Sequence, residues 1–160
     1  MIYSLLEDYF DFVHWFSLVI YEPKFRQQLR SIEDGYADPA EVPFLALLSM
    51  VLCMAAWYRS AWTVQGDSAE LNLWSADLLK IVESRLVQLM DDHSIPAIQT
   101  CILLGSHYVY DGRPNLAFGL LGATIKMAQA MSLHRNSVRG SSDDIEERKR
   151  VWWTIYTWDR

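Results

Sequence analysis

Apolar residues in this chain recur at helical spacing from one end to the other, and no stretch of useful length alternates with period two. Side chains three and four apart share one face of a helix, whereas strands need alternation. That pattern restricts the chain to an all-α fold, and proline and glycine divide it into about seven helices. Ser4 and Glu7 have capping-box spacing, so the first helix is expected to run from Ser4 to about Ile20. Pro23 opens a short second helix to Arg30, and Ser31 to Pro39 reads as a loop. A third helix is expected over Pro43–Ser60 and a fourth from Asp67 or Ser68 to about Met90. In the fourth, Leu71, Trp74, Leu78, Ile81 and Leu89 should face inward. Ser94 caps a fifth helix to Tyr110, and Asp111-Gly112 turns the chain. Pro114 opens a sixth to about Ser132, Asn136–Ser142 is a loop, and Asp143 caps a seventh through Trp158.

The very short turn at Asp111-Gly112 forces the fifth and sixth helices into an antiparallel hairpin. Leu104, Gly105, Tyr108 and Ala117 match part of the tetratricopeptide spacing, but no second copy follows about 34 residues away. Close packing is what the small residues supply. Gly105 lets the partner helix approach, and Gly119, Ala123, Met127 and Ala130 should form the narrow face it meets.

Composition narrows the function. Of 160 residues, 51% are hydrophobic and 21% charged, enough for a true core. A net charge of −6, and no dense Lys/Arg stripe, argue against this segment gripping nucleic acid by itself. Two cysteines, Cys53 and Cys101, are too few for a disulfide framework or a cysteine-rich metal module, and both lie in apolar runs as core thiols. The run Val42–Tyr58 is shorter than the roughly 20 residues of a spanning helix, contains Pro43, and reads as a core helix, so no membrane association is expected. The first residues lack the basic start of a signal peptide.

Few residues suggest chemistry. Asp143, Asp144 and Glu147 match an Asp-Asp-x-x-Glu pattern, which in all-α isoprenoid synthases holds Mg²⁺ and a diphosphate. The ordinary reading is a helix start, since acids in a first turn favour the helix dipole. Asp91-Asp92 is a second acidic pair with Ile95 where a third ligand would stand. His14, His93, His107 and His134 have no metal-ligand spacing, and His134 suits a helix C-terminus. The last helix is the least ordinary segment. Its first turns should balance Glu146 and Glu147 against Arg150, and its remainder carries Trp152, Trp153, Ile155, Tyr156 and Trp158. So much aromatic area implies burial on several sides, and a core Trp153 would make Trp153→Ala cost about 3–5 kcal/mol. No capping residue follows Trp158, so the chain is expected to be the front part of a larger domain, marginal or aggregation-prone alone.

This last helix, with the segment before it, resembles the fungal-specific transcription factor domain, the regulatory middle homology region of zinc binuclear cluster transcription factors. The likeness is carried by the small-residue helix Gly122–Ala130, by Leu133-His134-Arg135-Asn136, and by a polar loop. It continues in Glu147, Arg150, Trp152, Trp153, Tyr156, Asp159 and Arg160. Ser132 stands where glycine is usual, and Tyr21 where histidine is customary. Tyr9-Phe10, Val13-His14, Glu22-Pro23 and Phe25 resemble the family's opening helix and turn. The likeness is specific over 117–160 and loose over 36–100.

The resemblance implies one partial all-α regulatory domain over 1–160, nuclear, not an enzyme, acting on RNA polymerase II transcription. The signature residues are expected to be structural. Zinc and DNA contact would belong to a six-cysteine module that this chain lacks, so no cofactor is expected here. Partners would be proteins of the transcription machinery or a second copy, with any small-molecule effector unidentified. A stand-alone helical interaction module is the alternative, and a Mg²⁺-dependent isoprenoid enzyme a remote one.

Overall fold

In the computed structural model, residues 1–63, 66–136 and 139–160 are described. Among them are eight α-helices and no strand: α1 Ile2–Asp8, α2 Glu22–Ser31, α3 Val42–Trp62, α4 Asp67–Ser84, α5 Leu86–Asp91, α6 Ile95–Tyr110, α7 Pro114–Ala130 and α8 Ser142–Asp159. The all-α expectation holds. The loop expected over Asn136–Ser142 falls partly outside the described residues.

α3 is the central helix. It is long and apolar enough by composition to cross a membrane, and here it packs against α1, α4 and α6. Its face from Phe44 to Ala56 is buried in one cluster with Leu5, Leu6, Tyr9, Ile98, Ile102, Leu121 and Ile155. Burying apolar area at about 25 cal/mol per Å² makes that cluster the main source of stability. α6 has a continuous buried stretch from Ala97 to Tyr108, because α3, α5, α7 and α8 all pack on it. Ser94 caps it as expected, accepting from the Ala97 N–H at 3.3 Å.

The first helix differs from its expectation. α1 ends at Asp8 and continues as a wide π turn over Tyr9–Val13 and a tight 3-10 turn over His14–Phe16. Leu18 then takes a left-handed conformation, φ 49°. Ser4 is not a cap. Its hydroxyl accepts from Arg59 at 2.6 Å, while Glu7 pairs with Arg26 at 2.9 Å. Arg59 also binds Asp8, so two long-range ion pairs hold this segment to α3 and α2.

The expected fourth helix is two. It breaks at Arg85, and α5 packs on α6 with Leu89 buried. Leu71 and Leu89 face inward as expected and Leu78 packs partly. Trp74 and Ile81, in contrast, are 37% and 51% exposed. The contact face of α7 is also turned from its expected position. Ala117, Leu120, Leu121, Thr124, Ile125 and Ala128 are buried, whereas Gly119 and Ala130 face solvent. Gly105 does what its size suggests: a Cβ there would lie 2.7 Å from the Leu121 side chain.

Candidate functional site

The signature residues gather where α7 turns into α8. α7 ends with Ser132 in a left-handed conformation, φ 57°, the geometry that glycine adopts without strain. The Leu133 N–H reaches back to the Ala128 carbonyl at 3.0 Å, and Leu133 is buried. Arg148 donates to the Met131 carbonyl at 3.2 Å, placing a cation at the C-terminal end of α7. α8 is capped two residues before the expected Asp143. Ser141 is its cap, accepting from the Asp144 N–H at 3.1 Å, while Asp144 accepts from the Ser141 N–H at 3.2 Å. This reciprocal box satisfies donors that a bare helix start leaves open. Between the two helices lies a notch of about 210 Å³ walled by Leu133, His134, Arg135, Arg148, Trp152 and Trp153. His134 is not within a helix C-terminus. It lies past the end of α7, its ring 5.7 Å from that of Trp152.

Beneath the start of α8 is a clasp of charge. Lys24 on α2 donates to Asp144 at 2.6 Å and to Glu147 at 2.5 Å. Gln99 on α6 donates to the Val19 carbonyl at 3.2 Å and to Glu147 at 3.4 Å. Glu147 is only 4% exposed, and a buried carboxylate is tolerable only when paired and hydrogen-bonded. Burial pulls the Lys24 ammonium down, but the hydrogen bonds it donates to Asp144 and Glu147 outweigh it and raise its pKa. Lys24 and Ser141 together hold the Asp144 carboxyl down at about 2. The clasp therefore ties α2, α6 and α8 at one point.

The expected pairing of Glu147 with Arg150 does not form, because Glu147 turns into the core. Arg150 instead donates to Glu146 at 2.7 Å, as expected of that pair, and lies 5.3 Å over the Tyr21 ring. Tyr21 in turn donates to Asp143 at 3.2 Å. The three carboxylates of the Asp-Asp-x-x-Glu pattern thus already have partners in this chain: a lysine for two of them and a phenol for the third. No group of three or more potential metal-ligating side chains occurs among the described residues. Cys53 and Cys101 are buried on α3 and α6, and burial pushes their thiols up to about 11 and about 12.

The burial expected of the whole second half of α8 is half right. Val151 and Ile155 are buried, and Trp152, Tyr156 and Trp158 pack partly. Trp153 is 60% exposed, which overturns its reading as a core ring. The helix is amphipathic after all, and Trp153 lies on the face turned from the core, its ring edge-on to Tyr156 at 5.7 Å. Asp159 and Arg160 are exposed at the end, with Arg160 4.7 Å over the Tyr156 ring. Lys24 and Gln99 were missed by the sequence reading. Gln99 carried a signal, as a long amide within the apolar run Ile95–Leu104. Lys24 carried none, since its partners lie 120 and 123 residues away.

The family model described as "Fungal specific transcription factor domain" matches residues 6–160. The chain is 29% identical to the "Cutinase transcription factor 1 alpha" of Fusarium vanettenii, covering 98% of this chain and 17% of that protein. It is 29% identical to an "ABC-transporter-regulating transcription factor" of Aspergillus fumigatus, covering 98% and 18%. To the "Thiamine repressible genes regulatory protein thi1" of Schizosaccharomyces pombe it is 27% identical, covering 90% and 19%. The chain thus spans less than a fifth of the length of these curated relatives. No solved structure matches it significantly. A match from residue 6 to the last residue takes in the notch, the clasp and every signature residue, and the chain belongs to the fungal specific transcription factor domain family.

Proposed function

We propose that this chain is the regulatory body of a fungal RNA polymerase II transcription factor, working in the nucleus through protein contacts rather than by catalysis. The observation that carries the reading is the family match over 6–160, joined to relatives named as transcription regulators. The geometry supports it. The buried signature carboxylate Glu147 is spent on fixing α8 against α2 and α6, which suits a body that presents surfaces. A net charge of −6 suits one that leaves DNA contact to another module. Zinc and DNA binding belong to a module outside this chain, whose two cysteines are both core thiols. The partners are proteins of the transcription machinery or a second copy of the chain.

Fusing the chain to a heterologous DNA-binding domain upstream of a reporter tests this. Reporter output should change relative to the DNA-binding domain alone, in either direction. A folded fusion that occupies the promoter and leaves output unchanged would defeat the regulatory reading. If that fusion nevertheless retains a specific protein partner, an interaction module without a regulatory role is the better description.

A further inference from the structure

We propose that the cleft between the N-terminal turns, the second half of α3 and the end of α6 binds a flat, uncharged small molecule carrying one hydrogen-bonding group. The inference does not rest on the regulatory reading, since it concerns binding to the chain itself. The cleft has a volume of about 260 Å³ and is walled by Phe12, Trp15, Trp57, Tyr58, Trp62 and Tyr110. Phe12 stacks on Tyr58 with centroids 5.7 Å apart and planes at 11°. Tyr58 stands 6.1 Å from Trp62, and Trp57 5.8 Å from Tyr110 at 30°. Trp15 and Trp62 are 69% and 73% exposed. Single exposed apolar side chains are ordinary, but contiguous apolar area in a concave place marks a binding surface.

The chemistry of the wall selects the ligand. No lining residue is charged, so a charged ligand would lose its hydration without compensation. Aromatic faces favour a flat, π-rich partner. Size argues against a partner helix, which is about 10 Å across and lays several anchors along a groove. A cleft of this volume, at the lower end of ligand pockets, takes one fused ring system.

The polar end is supplied by Ser17 and Ser106, the two serine hydroxyls of the lining, beside the phenols of Tyr58 and Tyr110. Ser106 donates to the Ile102 carbonyl at 2.9 Å and keeps its oxygen free to accept. The backbone of this wall is irregular in three consecutive ways: a π turn, a 3-10 turn and the left-handed Leu18. Such departures concentrate where a chain is shaped for binding rather than for its own packing.

Titrating the full chain with prodan, an uncharged naphthalene ketone, tests the proposal. Saturable one-to-one binding is expected, with blue-shifted probe emission and quenched tryptophan emission. Ala61→Phe, which fills the cleft, and Trp62→Ala, which removes a wall, should each weaken Kd by about tenfold. Trp153→Ala on α8 should leave it unchanged, and a sulfonated naphthalene should bind more weakly. Far-UV circular dichroism verifies that each variant is folded. Light-driven cross-linking of a neutral diazirine naphthalene to the unmodified chain gives a reading independent of any variant, with label expected on the peptides bearing Trp15, Trp57 or Trp62. No saturable binding, label elsewhere, or a Kd unmoved by both cleft variants would overturn the proposal. So would a dimer, seen by sedimentation, that excludes the probe and is split by Trp62→Ala.

Discussion

Lys24 and Trp153 show how poorly residue type alone reports energetic weight. A lysine in a short polar helix reads as solvated, and a tryptophan in a Trp-Trp pair reads as core. The structure reverses both. Lys24 is the cation that two carboxylates 120 and 123 positions away depend on, and one of them, Glu147, is buried. Lys24→Ala leaves Glu147 buried without its charge partner, although Gln99 remains in contact. Removing one partner of a buried pair costs about 3–5 kcal/mol. Lys24 is itself about a quarter exposed, so water can reach the vacated place and about 2–3 kcal/mol is the better expectation. Lys24→Met with Glu147→Leu should recover most of that loss, because the pair as a whole contributes little beyond its mutual compensation. Trp153→Ala should change stability by no more than about 0.5 kcal/mol, as surface substitutions do. Urea unfolding of the three variants decides it. A double variant as unstable as Lys24→Ala, or a Trp153→Ala loss near that of a core ring, would contradict the assignment.

Helices announced by proline or by a polar cap were legible as elements. Pro114, Ser94 and the Asp111-Gly112 turn stand where the sequence puts them, because fixed φ, a missing N–H or a side-chain acceptor acts locally. Helix ends without such a residue were legible less often. α1 ends at Asp8, far short of the expected single helix, and Leu18 closes the turns after it in a left-handed conformation that ordinarily calls for glycine or asparagine. α7, in contrast, ends within two residues of the expected Ser132, although that serine is also left-handed. The break at Arg85 has no sequence mark at all. The clasp at the start of α8 is a tertiary pairing that no local pattern encodes, whereas the Glu146–Arg150 pair, four residues apart, was legible. The face of α7 was misjudged because small residues were taken to mark the contact. The contact is made by one small residue on α6, Gly105, receiving one large one on α7, Leu121. Gly105→Val should therefore destabilise by about 2 kcal/mol or more through overpacking. Leu121→Ala should cost about 2–4 kcal/mol through its cavity. Combined, the valine occupies the space that the leucine leaves, so the double variant should be clearly more stable than the sum of the two losses. Additive losses in thermal or urea unfolding would mean that the two side chains do not meet.

At the scale of the whole molecule, burial of titratable groups sets a pH window. His14 is partly buried and His107 buried, and burial is the largest reason that each holds its proton less well than the ordinary value of 6.5. Arg150 adds to the effect at His14, with Glu22 opposing it. At His107, Asp111 and Glu83 oppose it and Arg113 adds to it. With folded values below 6.5, the unfolded chain binds protons first as pH falls, so stability is full above 6.5 and declines below it. Asp144 adds a second stage. Its folded value of about 2 lies below the ordinary 3.8, so its contribution is present above 3.8 and lost as pH falls toward 2. On the alkaline side, Cys53 and Cys101 have folded values of about 11 and about 12 against an ordinary 9.0. Their contribution is present below 9.0 and lost as pH rises above it, because the unfolded thiols ionise first. The urea midpoint should therefore form a plateau between about 6.5 and 9, with a shallow acid decline before a steeper one below about 4. His14→Gln with His107→Gln should flatten the shallow stage and leave the steeper one in place. A midpoint that holds constant from about pH 7 to about pH 5 in the unmodified chain would show that the two imidazoles are not held neutral by the core. Their burial beside α8 and α3 would then need another account.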